Sequence, residues 1–239
     1  MRDVTASLLL DVLGRQRFGV EYQPLIDTKT GELVAYEALA RFYDQSGGIL
    51  RTDHVFHALH DSPLTLFQVE YQMKQLQIAL APSGTLFLNL DPDAYTVAAD
   101  DEGAHPLLDL ISQRADVVLE IIENSDLSDA KQSARMADAF SQRQVRLALD
   151  DIGAPHSMLS LPLLIQVDCL KFDRSWFAQL DCPIYQAALV SLINYARETG
   201  KQTVLEGVES AAQLEKARSL GVDLVQGFLY RSQFISRQA

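Results

Sequence analysis

The chain has 239 residues, of which 48% are hydrophobic and 22% are charged, and its 20 basic and 32 acidic side chains give a formal net charge of −12 at pH 7. This acidic balance argues against a DNA or RNA polymer as the partner, because duplex binding relies on Lys and Arg neutralising phosphates. The two cysteines provide neither a disulfide framework nor a zinc spacing, as is typical of the reducing cytoplasm. No apolar run approaches the roughly 20 residues of a membrane span, so we expect a cytoplasmic protein without membrane insertion or a secretory signal.

The first predicted elements are a short helix and a hairpin. Apolar residues at helical spacing over residues 3–13, ending at Gly14, predict a leading helix within residues 1–16. Strand-like runs at 18–26 and 32–42 flank a five-residue turn, so the first strand should pair antiparallel with the second. A long amphipathic helix over 64–80 follows, with Pro63 at its start.

From residue 85 onward, strand patterns alternate with helix patterns. Strands are predicted at 85–90, 117–122, 145–150, 167–172, 202–206 and 224–226, and helices at 106–113, 127–140, 184–199 and 211–220. Such alternation through short connections predicts parallel strands joined by right-handed crossovers. The length is close to the ~250 residues typical of a (β/α)₈ barrel. We therefore predict an α/β fold, a modified TIM-type (β/α)₈ barrel with an antiparallel first strand, as a single domain over residues 1–239.

Two adjacent carboxylates end the most distinctive strand. Val145, Leu147 and Leu149 alternate with other residues and lead into Asp150 and Asp151. Neighbouring carboxylates repel, so a native state that keeps both ionised needs a cation or several hydrogen-bond donors. For an isolated pair, a turn cap beside a solvated acid is the more common explanation. The residues at the ends of the other strands therefore have to be considered together with this pair.

Every predicted strand from the second onward has a polar residue at or near its end. These residues are Glu37, Asn89, Glu120, Asp150 with Asp151, Lys171, Glu206 and Gln226. In a parallel barrel, such residues converge at one end. Oxygen ligands without His or Cys favour hard cations such as Mg²⁺ or Mn²⁺. Two such ions are suited to phosphoester hydrolysis. One lysine among several carboxylates also occurs in metal-dependent enzymes of carbon-acid chemistry, which the residue types alone do not exclude.

A series of motifs then identifies a family resemblance. The segment 36–42 reads YEALARF, with Glu37, Leu39 and Arg41. The other motifs are Gln23-Pro24, Asn89 in FLNL, Glu120 and Glu123 in LEIIE, Asp150-Asp151, LKFDRS at 170–175, EGVES at 206–210 and QGF at 226–228. In this order and approximate spacing, residues 18–229 resemble the EAL-domain family, bacterial phosphodiesterases of cyclic di-GMP.

The resemblance implies a role for each matched residue. Glu37, Asn89, Glu120 and Asp150 look like ligands of a first metal ion, and Asp150, Asp151 and Glu206 like those of a second. Lys171, Glu206, Glu209 and Gln226 match catalytic or water-positioning groups, and Gln23, Leu39 and Arg41 match substrate-binding groups. Glu123 matches a loop-anchoring residue. The implied reaction opens cyclic di-GMP to linear 5′-pGpG with one or two Mg²⁺ or Mn²⁺ ions.

The loop after the two aspartates departs from the family pattern. The family usually continues with Phe-Gly-Thr-Gly-Tyr-Ser-Ser-Leu, whereas residues 152–159 here read IGAPHSML. In the family, this loop holds the ligands of the second metal ion in place and contributes to a dimer contact. Its change therefore bears on the turnover rate and on whether a homodimer forms. The alternative to a phosphodiesterase is therefore a catalytically weak or silent domain that serves as a cyclic di-GMP receptor or a protein-interaction module. Sensor or effector proteins are then the expected partners.

Overall fold

The structure is a computed structural model that describes residues 5–98, 105–122, 127–155 and 157–239. Its strands are β1 (Phe18–Asp27), β2 (Leu33–Phe42), β3 (Thr85–Asn89), β4 (Val117–Ile122), β5 (Arg146–Ile152), β6 (Cys169–Phe172), β7 (Gln202–Leu205), β8 (Leu224–Val225) and β9 (Ile235–Gln238). Its α-helices are α1 (Ala6–Gly14), α2 (Thr52–Leu59), α3 (Pro63–Ala79), α4 (Pro92–Val97), α5 (Pro106–Ser112), α6 (Leu127–Gln142), α7 (Leu161–Gln166), α8 (Pro183–Glu198) and α9 (Ala211–Leu220). Two 3₁₀ helices cover Arg174–Ala178 and Phe228–Gln233.

The first eight strands close into a barrel. Strands β2 to β8 pair in sequence order and are all parallel. Strand β1 closes the ring by pairing antiparallel with β2 on one side and with β8 on the other. This arrangement confirms the predicted TIM-type barrel with an antiparallel first strand. Strand β9 adds to β1 beside β8, which the sequence did not predict.

The turn between β1 and β2 explains why the first strand is antiparallel. The Asp27 side chain accepts hydrogen bonds from the backbone N–H groups of Lys29 and Thr30 at 2.8 and 2.7 Å. Gly31 then takes a positive φ of 74°, a conformation that glycine adopts at no steric cost. The chain thus reverses within a few residues, whereas a parallel pair needs a crossover of a dozen or more.

The lower interior of the barrel is a small apolar core to which each of the eight barrel strands contributes one residue. Its members are Leu25, Ala35, Phe87, Val118, Ala148, Cys169, Val204 and Leu224. Side chains alternate between the two faces of a strand. On β2 to β8, the residue two positions further along the chain therefore also faces inward, nearer to the end at which these strands finish. On antiparallel β1, the corresponding residue is two positions earlier. We call this end the mouth.

The boundaries of several elements differ from the sequence predictions. Two six-residue helices, α4 and α7, were not predicted, because fewer than two turns show no helical periodicity. Strand β6 begins at Cys169 rather than at residue 167, and α1 begins at Ala6 with the Thr5 side chain as its cap. In the described part of the chain, no helix has both the length and the apolar character needed to cross a membrane.

Candidate active site

One layer of side chains lies directly above the apolar core, towards the mouth. Counting two residues on from the core residue of each parallel strand, and two residues back on antiparallel β1, reaches eight polar side chains. We call them the polar layer: Gln23, Glu37, Asn89, Glu120, Asp150, Lys171, Glu206 and Gln226. The barrel thus brings together residues separated by as many as 203 positions in sequence.

Of the polar-layer residues predicted at or near the end of a strand, Glu37 is the exception. Glu37 is in the middle of β2, five residues before Phe42, because β2 continues in its hairpin with β1 beyond the polar layer. Glu120 and Asp150 each lie two residues before the last residue of their strands. Glu206 and Gln226 directly follow theirs.

Two side-chain amides donate to the carboxylate of Glu37. Asn89 Nδ2 donates to Glu37 Oε1 at 2.9 Å, and Gln226 Nε2 donates to Glu37 Oε2 at 2.7 Å. The same Gln226 nitrogen is 3.3 Å from Gln23 Oε1. Glu37 is 5% exposed, so these contacts fix the direction of its oxygens towards the barrel axis.

Lys171 lies at the centre of the polar layer and is fully buried. Its Nζ is 2.9 Å from Asp150 Oδ1, 2.8 Å from Glu206 Oε1 and 3.7 Å from Glu37 Oε2. It also contacts Glu120 closely. One ammonium group therefore faces four carboxylates, which leaves an excess of negative charge in a region with little access to water.

Burial and the close spacing of these charges shift the pKa values of the carboxyl groups in the polar layer. Burial, together with the Glu37 carboxylate, raises the pKa of Glu120 well above its usual range. Burial also raises the pKa of Asp150, and it raises the pKa of Glu206 to about 8. Burial opposes ionisation of Glu37 as well, but Lys171 and the two amide donors keep the pKa of Glu37 below its usual value.

A break in strand pairing directs a second aspartate into the same region. The pairing of β5 with β6 shifts register between Leu149 and Ile152, as in a β-bulge, which re-aims side chains. Asp151 within this break has a positive φ of 56°. Burial and the adjacent Asp150 raise the pKa of Asp151 to about 6.

The described carboxylates at the mouth form two groups that fit divalent cations. Glu37, Glu120 and Asp150 have oxygens within 4.8 Å of one another, and so do Asp150, Asp151 and Glu206. Within the described residues, neither Glu120 oxygen accepts a hydrogen bond of acceptable geometry. Buried acceptors of this kind are normally satisfied, so the donor set, all oxygen with Asp150 shared, fits one or two hard cations.

The polar layer opens into a cleft of about 360 Å³. Beside members of the layer, the cleft is lined by Leu39, Asp151 and Glu209, which the sequence analysis had selected. Arg174 and Phe228 also line it and were not selected. Both are exposed and lie inside the motifs LKFDRS and QGF, so membership of those motifs was the available signal.

Two of the residues predicted to belong to the site are neither in the polar layer nor among the described residues that line this cleft. Arg41 is one side-chain layer further towards the mouth than Leu39 on the same face of β2 and pairs with Glu21. Glu123 lies outside the described residues, and its role as a loop anchor stays a prediction.

Comparisons with known proteins agree with this geometry. A model of the family described as EAL domain matches residues 7–233. The cyclic di-GMP phosphodiesterase PdeL of Escherichia coli K12 is 25% identical over 236 residues, covering 95% of this chain and 65% of PdeL. PdeB of the same organism, a probable cyclic di-GMP phosphodiesterase, is 28% identical over 232 residues, covering 93% of this chain and 44% of PdeB.

A solved structure shows the same fold. The calcium and cyclic di-GMP complex of Klebsiella pneumoniae BlrP1 superposes with a TM-score of 0.74 at 25% identity, covering 91% of this chain and 56% of that chain. The chain spans less than two thirds of the length of PdeL, PdeB or BlrP1. The family match covers nearly the whole sequence, and the chain belongs to the EAL domain family, a family of cyclic di-GMP phosphodiesterases.

Proposed function

We propose that this chain hydrolyses cyclic di-GMP to linear 5′-pGpG in a reaction that depends on one or two Mg²⁺ or Mn²⁺ ions. The observation that carries the proposal is the pair of carboxylate groups that share Asp150 next to buried Lys171 at the base of the cleft. The relatives support the substrate, because PdeL is named as a cyclic di-GMP phosphodiesterase and BlrP1 is solved with the dinucleotide.

The proposed ligands divide as the two carboxylate groups do. Glu37, Asn89, Glu120 and Asp150 hold a first ion, and Asp150, Asp151 and Glu206 hold a second, directly or through water. When bound, such ions neutralise the carboxylates, lower the pKa of a water molecule and stabilise charge on the phosphoryl group. BlrP1 is also solved with manganese and the dinucleotide, which supports Mn²⁺ as the first ion to test.

The remaining selected residues orient the reactants. Lys171 stays protonated, because the surrounding carboxylates raise its pKa despite the cost of burial, and its ammonium group donates to the attacking water and offsets phosphoryl charge. Gln226 fixes Glu37, while Glu206 and Glu209 position water at the cleft. Gln23, Leu39 and Arg41 contact the substrate, with the Arg41 guanidinium suited to a phosphate.

A second candidate is a receptor that binds cyclic di-GMP without cleaving it. It is favoured by the altered loop over residues 152–159, which follows Asp151 directly and has Pro155 where the family pattern has glycine. Proline restricts φ and removes a donor, and a misplaced Asp151 would weaken the second ion site. A homodimer and a sensor or effector protein are the proposed partners of either form.

The test is to incubate the purified chain with cyclic di-GMP and Mn²⁺, to follow pGpG by chromatography, and to measure dinucleotide binding by calorimetry. A phosphodiesterase forms pGpG in proportion to enzyme and time, and chelation with EDTA stops it. Binding without product at micromolar protein identifies the receptor. Neither binding nor product rejects both candidates.

Matched variants assign the reaction to the polar layer. Glu120→Gln keeps the shape of a fully buried side chain but removes a proposed ligand, so we expect product formation to fall by at least about 100-fold with the fold retained. Glu198→Gln changes the net charge equally at an exposed site at the end of α8, away from the mouth, and should leave turnover unchanged. Equal activity in the two variants contradicts the proposed site.

A further inference from the structure

Arg41, the proposed phosphate-binding residue, is already occupied by an anion of the chain itself. Its Nη2 donates to Glu21 Oε1 at 2.6 Å, and its Nη1 donates to the Ala40 carbonyl oxygen at 2.8 Å. The side chains of Arg41 and Glu21 are about one-fifth exposed, so the pair is partly screened by water but accessible from the mouth.

The register of the hairpin explains this contact. Glu21 is opposite Leu39 across the β1–β2 pair, and Arg41 is opposite Gly19, which has no side chain. A Cβ atom at Gly19 would lie 2.8 Å from the Arg237 carbonyl oxygen and 2.8 Å from the Tyr43 ring. Because position 19 has to be glycine, the Arg41 side chain meets its diagonal neighbour Glu21.

Glu21 also connects Arg41 to the polar layer. Its Oε1 accepts a second hydrogen bond from Gln23 Nε2 at 2.9 Å. Gln23 Oε1 is in turn 3.3 Å from Gln226 Nε2, the nitrogen that donates to Glu37. A continuous path of polar contacts therefore runs from Arg41 through Glu21 to a proposed metal ligand.

We propose that Glu21 is an internal counter-anion that occupies the guanidinium of Arg41 until a phosphate of the ligand displaces it, so that Glu21 sets the affinity of the cleft for the cyclic dinucleotide. This inference rests on the proposed function, in which Arg41 binds a phosphate. The carboxylate and the phosphate compete for the same donor, since both are anions recognised by a guanidinium fork.

The test substitutes Glu21→Gln, which removes the charge and keeps an oxygen able to accept from Gln23. We expect the Kd for cyclic di-GMP, measured by calorimetry in Ca²⁺, to fall by roughly fivefold, as for release of a partly exposed ion pair. In turnover with Mn²⁺, we expect KM to fall while kcat stays unchanged, because Glu21 contacts no proposed reacting group. The affinity for Mn²⁺ alone should not change.

Two further variants assign the effect to Arg41 and not to net charge. Glu198→Gln removes one negative charge at an exposed site away from the mouth and should leave the dinucleotide Kd unchanged. Arg41→Ala weakens binding, and adding Glu21→Gln to Arg41→Ala should then give no gain, because the competing donor is absent.

The outcomes separate this inference from the proposed function. Tighter binding by Glu21→Gln that requires Arg41 supports the inference even where no pGpG forms, in which case only the phosphodiesterase proposal fails. Unchanged or weaker binding by Glu21→Gln overturns it, because Glu21 then merely supports Arg41. A gain that persists without Arg41 also overturns it, as does the absence of dinucleotide binding by both the native chain and the Glu21→Gln variant.

Discussion

Asp151 has a backbone conformation that few side chains tolerate. Its φ of 56° places it in the left-handed region, which costs an ordinary residue about 1–2 kcal/mol and is more accessible to Asp and Asn because of their short polar side chains. The same residue has a raised pKa and belongs to the second carboxylate group. Strain and an unfavourable charge thus coincide at one position, as is common at functional sites.

Substitutions at Asp151 should separate backbone strain from charge. Asp151→Asn, Asp151→Ala and Asp151→Gly all remove the carboxylate, so each should weaken binding of a second ion. Their stabilities should differ, with Asp151→Ala about 1 kcal/mol less stable than Asp151→Asn, and Asp151→Gly at least as stable as Asp151→Asn. Thermal unfolding of the metal-free chains measures this order.

Gln144 supplies the control for this series. Its φ is 60°, and it lies in the turn before β5, outside the cleft. Gln144→Gly should stabilise the chain slightly and leave metal binding intact. If Asp151→Ala matches Asp151→Asn in stability, backbone strain at this position is negligible and the first expectation is wrong.

The acid equilibria of the second carboxylate group predict a pH dependence of metal binding. Burial raises the pKa of Glu206 to about 8 and that of Asp151 to about 6. An acid with a raised pKa is neutral below that pKa, and a metal ion binds its ionised form, so binding must release protons at pH 5.5. Mn²⁺ affinity should therefore rise by at least roughly tenfold between pH 5.5 and pH 8.5.

Calorimetry in buffers of different ionisation enthalpy measures the proton release directly. Glu206→Gln should reduce the slope of affinity against pH, because the group with the higher pKa is then absent. An affinity that stays flat over this pH range would show that both carboxyls are already ionised in the metal-free chain.

At the level of elements, the end of β5 is positioned by the 3₁₀ helix that follows β6. Trp176 Nε1 donates to the Ile152 carbonyl oxygen at 2.7 Å, and Trp176 is buried. Gly153 has a φ of 85°, and a Cβ atom there would lie 2.4 Å from Trp176 Nε1. The indole ring therefore fixes the backbone directly after Asp151.

Gly153→Ala should disrupt this contact and displace Asp151. We expect a loss of more than about 2 kcal/mol in stability, from the left-handed backbone and from the steric conflict with the indole ring, together with weaker binding of the second ion. Gly200→Ala is the matched control, because Gly200 also has a positive φ of 71° but no atom within 4 Å of the added carbon. It should lose only about 1 kcal/mol.

Thermal unfolding of both variants measures the difference between them. Equal losses in Gly153→Ala and Gly200→Ala would mean that the indole ring yields without cost, and that Trp176 does not hold the loop.

For the whole molecule, barrel closure places four carboxylates around one ammonium group, which destabilises the metal-free state. A cation that binds only the folded chain stabilises it by about 2.7 kcal/mol at a concentration 100 times its Kd. For a chain of this length, each kcal/mol raises the unfolding temperature by about 2–4 °C. We therefore expect Mn²⁺ to raise Tm by about 5–10 °C and EDTA to reverse the shift.

Glu120→Gln is the control for this prediction. In this variant, most of the rise in Tm caused by Mn²⁺ should be lost. Without metal, its Tm should be close to that of the native chain, since Glu120 is an acid whose pKa is already raised by burial. An equal Mn²⁺ shift in the native chain and in Glu120→Gln would locate the stabilising ion outside the polar layer.

Individual helices, strands and turns were predictable from the sequence because they depend on interactions between residues that are close in the chain. The alternation in β3 to β5, the prolines that begin α3 and α5, and the five-residue turn after β1 required no knowledge of distant contacts. They were sufficient for an antiparallel first strand followed by parallel strands. The single domain over residues 1–239 stays a prediction.

The motifs selected the polar residues but not their arrangement. Glu37 lies in the middle of its strand rather than near the end. Gln23 belongs to the polar layer because β1 runs opposite to the other strands, so that its residue nearer the mouth comes earlier in the sequence. The bulge that turns Asp151 inward and the pairing of Arg41 with Glu21 depend on neighbouring strands. No local pattern encodes these contacts.

The sequence by itself determined the alternating elements, the oxygen-rich ligand set and the family, because periodicity and motif order are properties of the chain. Only the tertiary structure decided that Lys171 faces four carboxylates, that Asp150 is shared by two groups, and that Arg41 is already paired. The physical reason is barrel closure. It sets the distances between charges on different strands, and those distances control the pKa values and the possible ion sites.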